Sequence, residues 1–313
     1  MRLSSFIIIG RKYSLTNLWT ILVLITALIL SLIACSESGI TITPLPGLYI
    51  GTEATGYTRI ILDDIAGDNL VDKAFAYVNA NPSADIYMLM INYDIEFSAS
   101  YLRNLNANNT TLLIKSMDKT CTIYLSSLDI SGLFTVEGAG CELTMENIIL
   151  KGNSFNTNSL VSARNGASFI MNSGRISGHE NLNGGGGVDV DNATFIMNGG
   201  TISGNKAAYG GGVSVNNNAI FIMNGGIISG NEAVLDGGGV YVNSGTFNIL
   251  NNGIVYGINE GSNSNIASRE GAALFRGYGT TTLQYGKDGL LTNIPLIGDA
   301  RDETINVVDG VLQ

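Results

Sequence analysis

The sequence predicts an all-β chain wound as a parallel solenoid, a single-stranded β-helix of about 26 residues per coil, closed at its amino end by a short α-helix. Three observations carry this. Phe169-Ile170-Met171-Asn172 returns as Phe195-Ile196-Met197-Asn198 and as Phe221-Ile222-Met223-Asn224, 26 residues apart each time. Behind each copy come an Ile-Ser-Gly step and a glycine run that leads into Val-x-Val. Each unit therefore holds three short alternating segments parted by Gly and Asn, a period-two pattern that leaves no room for a helix. Finally, 40 Gly but only 4 Pro among 313 residues require a backbone reason other than collagen or a random linker.

The elements follow in chain order. Residues 1–34 hold Arg2, Arg11 and Lys12 but no acid, and an apolar run from Ile21 to Ala34 is broken only by Thr26 and Ser31. Its length suits the hydrophobic region of a signal peptide better than a membrane span. Leu32-Ile33-Ala34-Cys35 is similar to the bacterial lipobox, and the resemblance implies cleavage before Cys35 and diacylglycerol on its sulfur. An uncleaved anchor with Cys35 a bystander is the alternative. Acyl chains bury about 0.8 kcal/mol per CH₂, so a multiply acylated cysteine holds a domain at a membrane without a spanning helix.

Residues 35–66 read as a tether that ends by joining the body. Over 67–82, Leu70, Val71, Ala74, Phe75 and Val78 share one helical face with Asp68 as candidate N-cap, which makes the amino-terminal lid. Residues 83–142 read as irregular first coils with strands at Ile86–Ile91, Thr111–Ile114, Thr122–Leu125 and Leu133–Val136. The regular repeats run over 143–257. Residues 258–313 supply a last coil and closing strands at Ala272–Phe275, Thr280–Leu283 and Thr304–Val308. Both ends need covering, because an open coil exposes unpaired strand edges.

Parity within the repeats assigns the inward side chains: the Phe and Met positions, then Ile176, Ile202, Ile228 and Ile254, then Val188/Val190, Val213/Val215 and Val240/Val242. Coils stacked about 4.8 Å apart place like on like. Each buried side chain of this kind contributes roughly 1.5–3 kcal/mol before entropy is subtracted. Glycines fit the corners, where φ is positive. Asn172, Asn198 and Asn224 either stack amide on amide or sit in solvated turns. Cys121 and Cys141 begin segments that match position for position, which sets their sulfurs inward on neighbouring coils, as a disulfide or as two buried thiols.

The Phe-x-x-Asn and Gly-Gly-x-Val units resemble those of right-handed parallel β-helices. Among these they are similar to the repeats of chlamydial polymorphic outer-membrane proteins and of repeat-bearing bacterial surface lipoproteins. The likeness is carried by residues 143–257 and implies surface display and adhesion. It departs from the autotransporter members, since the residues after the last coil are too few for a membrane β-barrel; lipid takes the barrel's place as anchor. Other right-handed β-helices, of the pectin lyase-like kind, are polysaccharide lyases or hydrolases, which need paired carboxylates or clustered acids with a basic residue on one face.

The outward columns offer little of that chemistry. The Val-x-Val strands present Ser162, Asp189, Ser214 and Tyr241, and no outward column carries two acids. Arg164, Arg175, Asp189 and Asp191 form the only polar cluster. His179 fills the turn slot that Asn205 and Asn231 fill in other coils. Gly184–Asp189 matches the start of a calcium nonapeptide, but the period is wrong and the Asp is not repeated, so neither a metal nor a cofactor is expected. Ile170, Ile196 and Ile222 stack beside Ile227 as an apolar stripe, either an interaction surface or a face covered by a loop or tail. For stacking on sugars, Tyr209 and Tyr241 are the best candidates, because the only Trp, Trp19, lies in the signal region.

Charge excludes one partner class. The whole chain carries −10, and the three basic residues of the signal region leave the remainder more acidic still, which argues against nucleic acid. The expectation is therefore a non-catalytic, exported lipoprotein held by Cys35 at a bacterial membrane, at the outer membrane or cell surface, that contacts a host or envelope protein or glycan. The alternative is a carbohydrate-active enzyme with a divergent site.

Overall fold

The computed structural model describes residues 6–8, 11–13, 45–65, 67–97, 103–117, 119–126, 131–154, 156–181, 183–287, 290–296 and 299–313. The chain divides into Met1–Leu45 and Pro46–Gln313. In the first unit, Phe6–Ile8 pairs antiparallel with Arg11–Tyr13. The second unit is a parallel β-solenoid.

Its coils are held by three long sheets. One contains the Phe-x-Met strands, Glu142–Glu146, Ser168–Met171, Thr194–Met197, Ile220–Met223 and Thr246–Leu250, each parallel to the next. A second contains the Ile-Ser strands and a third the Val-x-Val strands. Register follows the repeat: Phe169 pairs with Phe195, Phe195 with Phe221 and Phe221 with Phe247. Their rings stack at 5.2, 4.7 and 4.8 Å between centroids, inside a core where these Phe, Met171, Met197, Met223 and the paired valines are fully buried.

The unit has one strand more than its alternation suggests. Glu180–Asn181, Lys206–Ala207, Glu232–Ala233 and Ile266–Ala267 form a short fourth parallel sheet. Two-residue strands are too brief to show a period in sequence. A second departure concerns Ile254, which faces outward, half-buried. Val255 takes its inward place, pairing with Ile228, because Asn251-Asn252 lengthens that coil by one residue, and one residue reverses every side chain after it.

The glycines divide by cause. Gly200 and Gly226 do turn corners at positive φ. The last glycine before each Val-x-Val strand answers to crowding instead: a Cβ on Gly187, Gly212 or Gly239 would lie 2.7, 2.6 or 2.6 Å from a carbonyl oxygen of the next coil. Asparagine shares the corner duty, with left-handed φ at Asn165, Asn192 and Asn217.

The amino-terminal helix covers Leu70–Ala80 and buries Val71, Ala74, Phe75 and Val78. Its N-cap is Asn69 rather than Asp68. The Asn69 side chain accepts from the Val71 and Asp72 amides at 2.9 and 3.1 Å, a reach that only the residue directly before the first turn has. Phe75 stacks on Phe134 at 5.3 Å, and Asp72 pairs with the buried Arg103 at 2.8 Å. Within the stretch read as a tether, Gly47–Thr52 and Gly56–Ile60 form a hairpin whose first strand pairs antiparallel with Ile86–Ile91. At the other end, Leu290–Asn293, Ala300–Arg301 and Ile305–Val308 each reverse direction against the last parallel strands. Among the described residues no helix is long and apolar enough to cross a membrane.

Cys121 and Cys141 are buried and unbonded. They do not share a register. Twenty residues separate them, less than one coil, so Cys121 pairs with Ile148 in the Ile-Ser sheet while Cys141 immediately precedes Glu142–Glu146 in the Phe-x-Met sheet. Burial pushes the Cys141 thiol up to about 11, which keeps it protonated at neutral pH.

Candidate functional site

Three residues that directly precede a glycine lie beside the outer face of the Val-x-Val sheet. In three successive coils these are Tyr209, Asp236 and Glu270, joined by Gly210 N–H to Asp236 O and Gly237 N–H to Glu270 O at 3.2 and 3.1 Å. Beside them, the outward column of the sheet carries Ser214, Tyr241 and Phe275 in direct register. Between the two columns lies a groove of about 310 Å³, which Arg269 and Tyr278 complete.

The groove is aromatic along the sheet, and on the loop side it combines Tyr209 with Asp236, Arg269 and Glu270. Tyr209 and Tyr241 lie 5.0 Å apart with their planes at 42°, and Tyr241 and Phe275 are parallel at 5.9 Å. Tyr278 stands 90% exposed at the rim. The carboxylate of Asp236, itself buried, accepts from the Arg269 guanidinium. Burial, first of all, raises the Tyr241 phenol above its usual value, with Tyr209 and Asp236 adding to the rise. That phenol is neutral at physiological pH and offers a hydroxyl, not a charge.

Two expectations change here. The outward Val-x-Val positions are covered rather than open: Ser162, Ser214 and Tyr241 are buried, and Gly185 and Gly210 lie over the strand backbone and side chains of this face. Moreover, two acids do line one groove. Strand columns miss them because Asp236 and Glu270 sit in loops. The sequence offered one signal, their shared position directly before Gly237 and Gly271, obscured by a spacing of 34 residues where the long turn at 257–265 intervenes.

The polar cluster forms in part. Arg164 approaches Asp189 at 3.8 Å, and Arg164 and Asp191 are direct cross-strand partners. Arg175 does not join them, for it lies in the Ile-Ser sheet between Ile149 and Thr201. Asn216 donates to Asp189 at 3.0 Å and Asn217 to Asp191 at 2.9 Å. Burial dominates at Asp189 and lifts its carboxyl to about 6 against the opposing pull of Arg164.

The remaining positions are structural in their contacts. His179 is buried, with Nε2 2.7 Å from the Asn158 carbonyl and its backbone N–H donating to Asn205 Oδ1. It starts a buried ladder that continues through Asn205, Asn231 and Asn265. Outside, the amides of Asn172, Asn198 and Asn224 do stack, Asn198 donating to Asn172 and Asn224 to Asn198, both at 2.8 Å. Ile170, Ile196 and Ile222 form a column on the outer face, with Ile227 in the adjoining sheet, and all four are half-buried. Cys35 lies outside the described residues. Among the described residues no group of three or more His, Cys, Asp or Glu could hold a metal ion.

A second cavity, of about 280 Å³, sits between the amino-terminal helix and the hairpin. Its two cations are turned to backbone carbonyls, Arg59 to Pro46 and Lys73 to Leu62. The groove over the Val-x-Val sheet therefore remains the better candidate. No protein-family model, curated protein or solved structure matches this chain.

Proposed function

We propose that the chain is an exported lipoprotein, anchored through Cys35, whose solenoid holds out a binding groove and serves adhesion or surface display rather than catalysis. One observation carries this reading: the groove gathers Tyr209, Tyr241, Phe275 and Tyr278 around a carboxylate that is already committed to Arg269. Aromatic walls with a few fixed polar groups suit recognition. A carboxylate tied to a guanidinium is a fixed polar partner for a ligand's hydroxyls.

The test displays the full chain on bacterial cells and scores their adherence to glycoprotein-coated surfaces. Tyr209→Ala with Tyr278→Ala is expected to abolish adherence while surface abundance is unchanged. Cys35→Ala should release the protein from the membrane fraction. Equal adherence by the double variant counts against the groove, and a Cys35→Ala protein that stays bound counts against the anchor.

A second reading, a carbohydrate-active enzyme, has one observation in its favour: Glu270 brings a second carboxylate to the groove that holds Asp236. Release of reducing ends or unsaturated products from neutral and acidic glycans, lost in Glu270→Gln, would favour it over binding alone.

A further inference from the structure

The charge and shape of the groove restrict what it can hold. Two carboxylates, Asp236 and Glu270, face one guanidinium, Arg269, on a chain that is acidic overall. A uronate or sulfated polymer entering there meets like charge. An aliphatic ligand would leave the Asp236–Arg269 pair and the phenols without partners. What matches is a molecule with apolar C–H faces and several uncharged hydroxyls, able to lie against an aromatic ring and exchange hydrogen bonds with a fixed carboxylate and guanidinium.

We propose that the groove binds a neutral saccharide, one sugar ring lying on Tyr278 at the rim and its hydroxyls reaching the Asp236–Arg269 pair inside. This rests on the reading of the same groove as the ligand site. The volume, about 310 Å³, fits a short stretch of a chain and not a long one. Tyr209 and Tyr241 close the wall behind it.

The experiment titrates the full chain in detergent by calorimetry with cellohexaose, maltohexaose, xylohexaose and N-acetylchitohexaose. Polygalacturonate and a polylysine peptide serve as charged probes. At least one neutral hexasaccharide is expected to bind saturably and the charged probes not to bind. Tyr278→Ala, which removes an exposed side chain and leaves the core intact, should weaken that binding roughly tenfold. Asp236→Asn should weaken it further, and Tyr57→Ala, in the hairpin at the other end, should leave it unchanged. Binding confined to polygalacturonate or polylysine, binding by no neutral hexasaccharide, or affinity indifferent to Tyr278→Ala overturns the proposal. If no neutral saccharide binds while groove variants still lose adherence, the ligand class is wrong and the groove reading stands. If adherence ignores the groove variants, the parent reading fails as well.

Discussion

Asn231 shows what one buried residue does for a coil. Its Oδ1 accepts both the backbone N–H and the side-chain amide of Asn205 at 3.1 Å, while its own amide donates to Ile202 O and Asn265 Oδ1, both at 3.0 Å. Asn231→Ala strands two donors of Asn205 away from water, at a cost of about 2–4 kcal/mol in chemical denaturation. The exposed Asn198→Ala, which breaks a solvated ladder, should cost less than about 1 kcal/mol. The two asparagine ladders look alike in sequence, and only burial separates them. Asp189 makes a different prediction, one of pH. Its carboxyl is held near 6 in the fold by burial, above the usual 3.8, so the folded chain keeps a proton that the unfolded chain has lost. The contribution to stability is therefore present below about pH 4, declines between pH 4 and 6, and is gone above, a change of up to ~3 kcal/mol. Arg164 and Asn216 pull that carboxyl down and Asp191 pushes it up, each less than burial does. Denaturation curves of Asp189→Asn and of the parent chain should converge at low pH and part as pH rises, the variant being the more stable at pH 7.

At the scale of the element, glycine separates into conformation and space. Gly204 has φ of +66° and open room for a Cβ, so Gly204→Ala incurs only the left-handed strain of about 1–2 kcal/mol. A Cβ on Gly212 instead meets Gly239 O at 2.6 Å and Ile228 Cγ2 at 3.0 Å, and the backbone of two coils would have to separate. Gly212→Ala should thus cost several times as much in thermal or chemical denaturation, although both sites read as glycine in a glycine-rich repeat. Equal losses would mean that the coils are not pressed together at that corner. The same contrast explains what could be read beforehand. The Phe and Met columns were legible because each strand alternates and each copy returns at one interval; the Val columns, whose interval varies, were legible from their alternation and the glycines before them. Val255 escaped because one added residue shifts parity, and the cysteine pairing escaped because similar local segments belong to different sheets. The groove was hardest: Tyr209 and Tyr241 could be named as candidates, but Asp236, Arg269 and Glu270 come from loops of unequal length, where neither alternation nor a fixed interval applies.

The solenoid, Pro46–Gln313, is a stack in which each coil touches only its neighbours, so its stability is close to a sum of repeats and interfaces. That makes the repeat length itself a structural quantity. Removing residues 169–194 joins Ser168 to Phe195, which already occupies the position of Phe169 one coil on. Every later strand keeps its parity, the Phe column closes over the gap, and Tyr209, Asp236 and Glu270 are left in mutual register. The shortened chain should keep a β-dominated circular dichroism spectrum and a cooperative transition whose midpoint falls only slightly. Removing half as much, residues 169–181, carries a Val-x-Val strand into the Ile-Ser sheet, with Val188 and Val190 in the outward places of Arg175 and Ser177, so buried positions face solvent. That variant should lose the cooperative transition and aggregate, since unpaired edges and apolar columns open together. If both deletions behave alike, equivalent side chains do not pile on one axis. A full-repeat deletion that folds yet no longer supports adherence would instead show that distance along the axis, and not the groove alone, is what function requires.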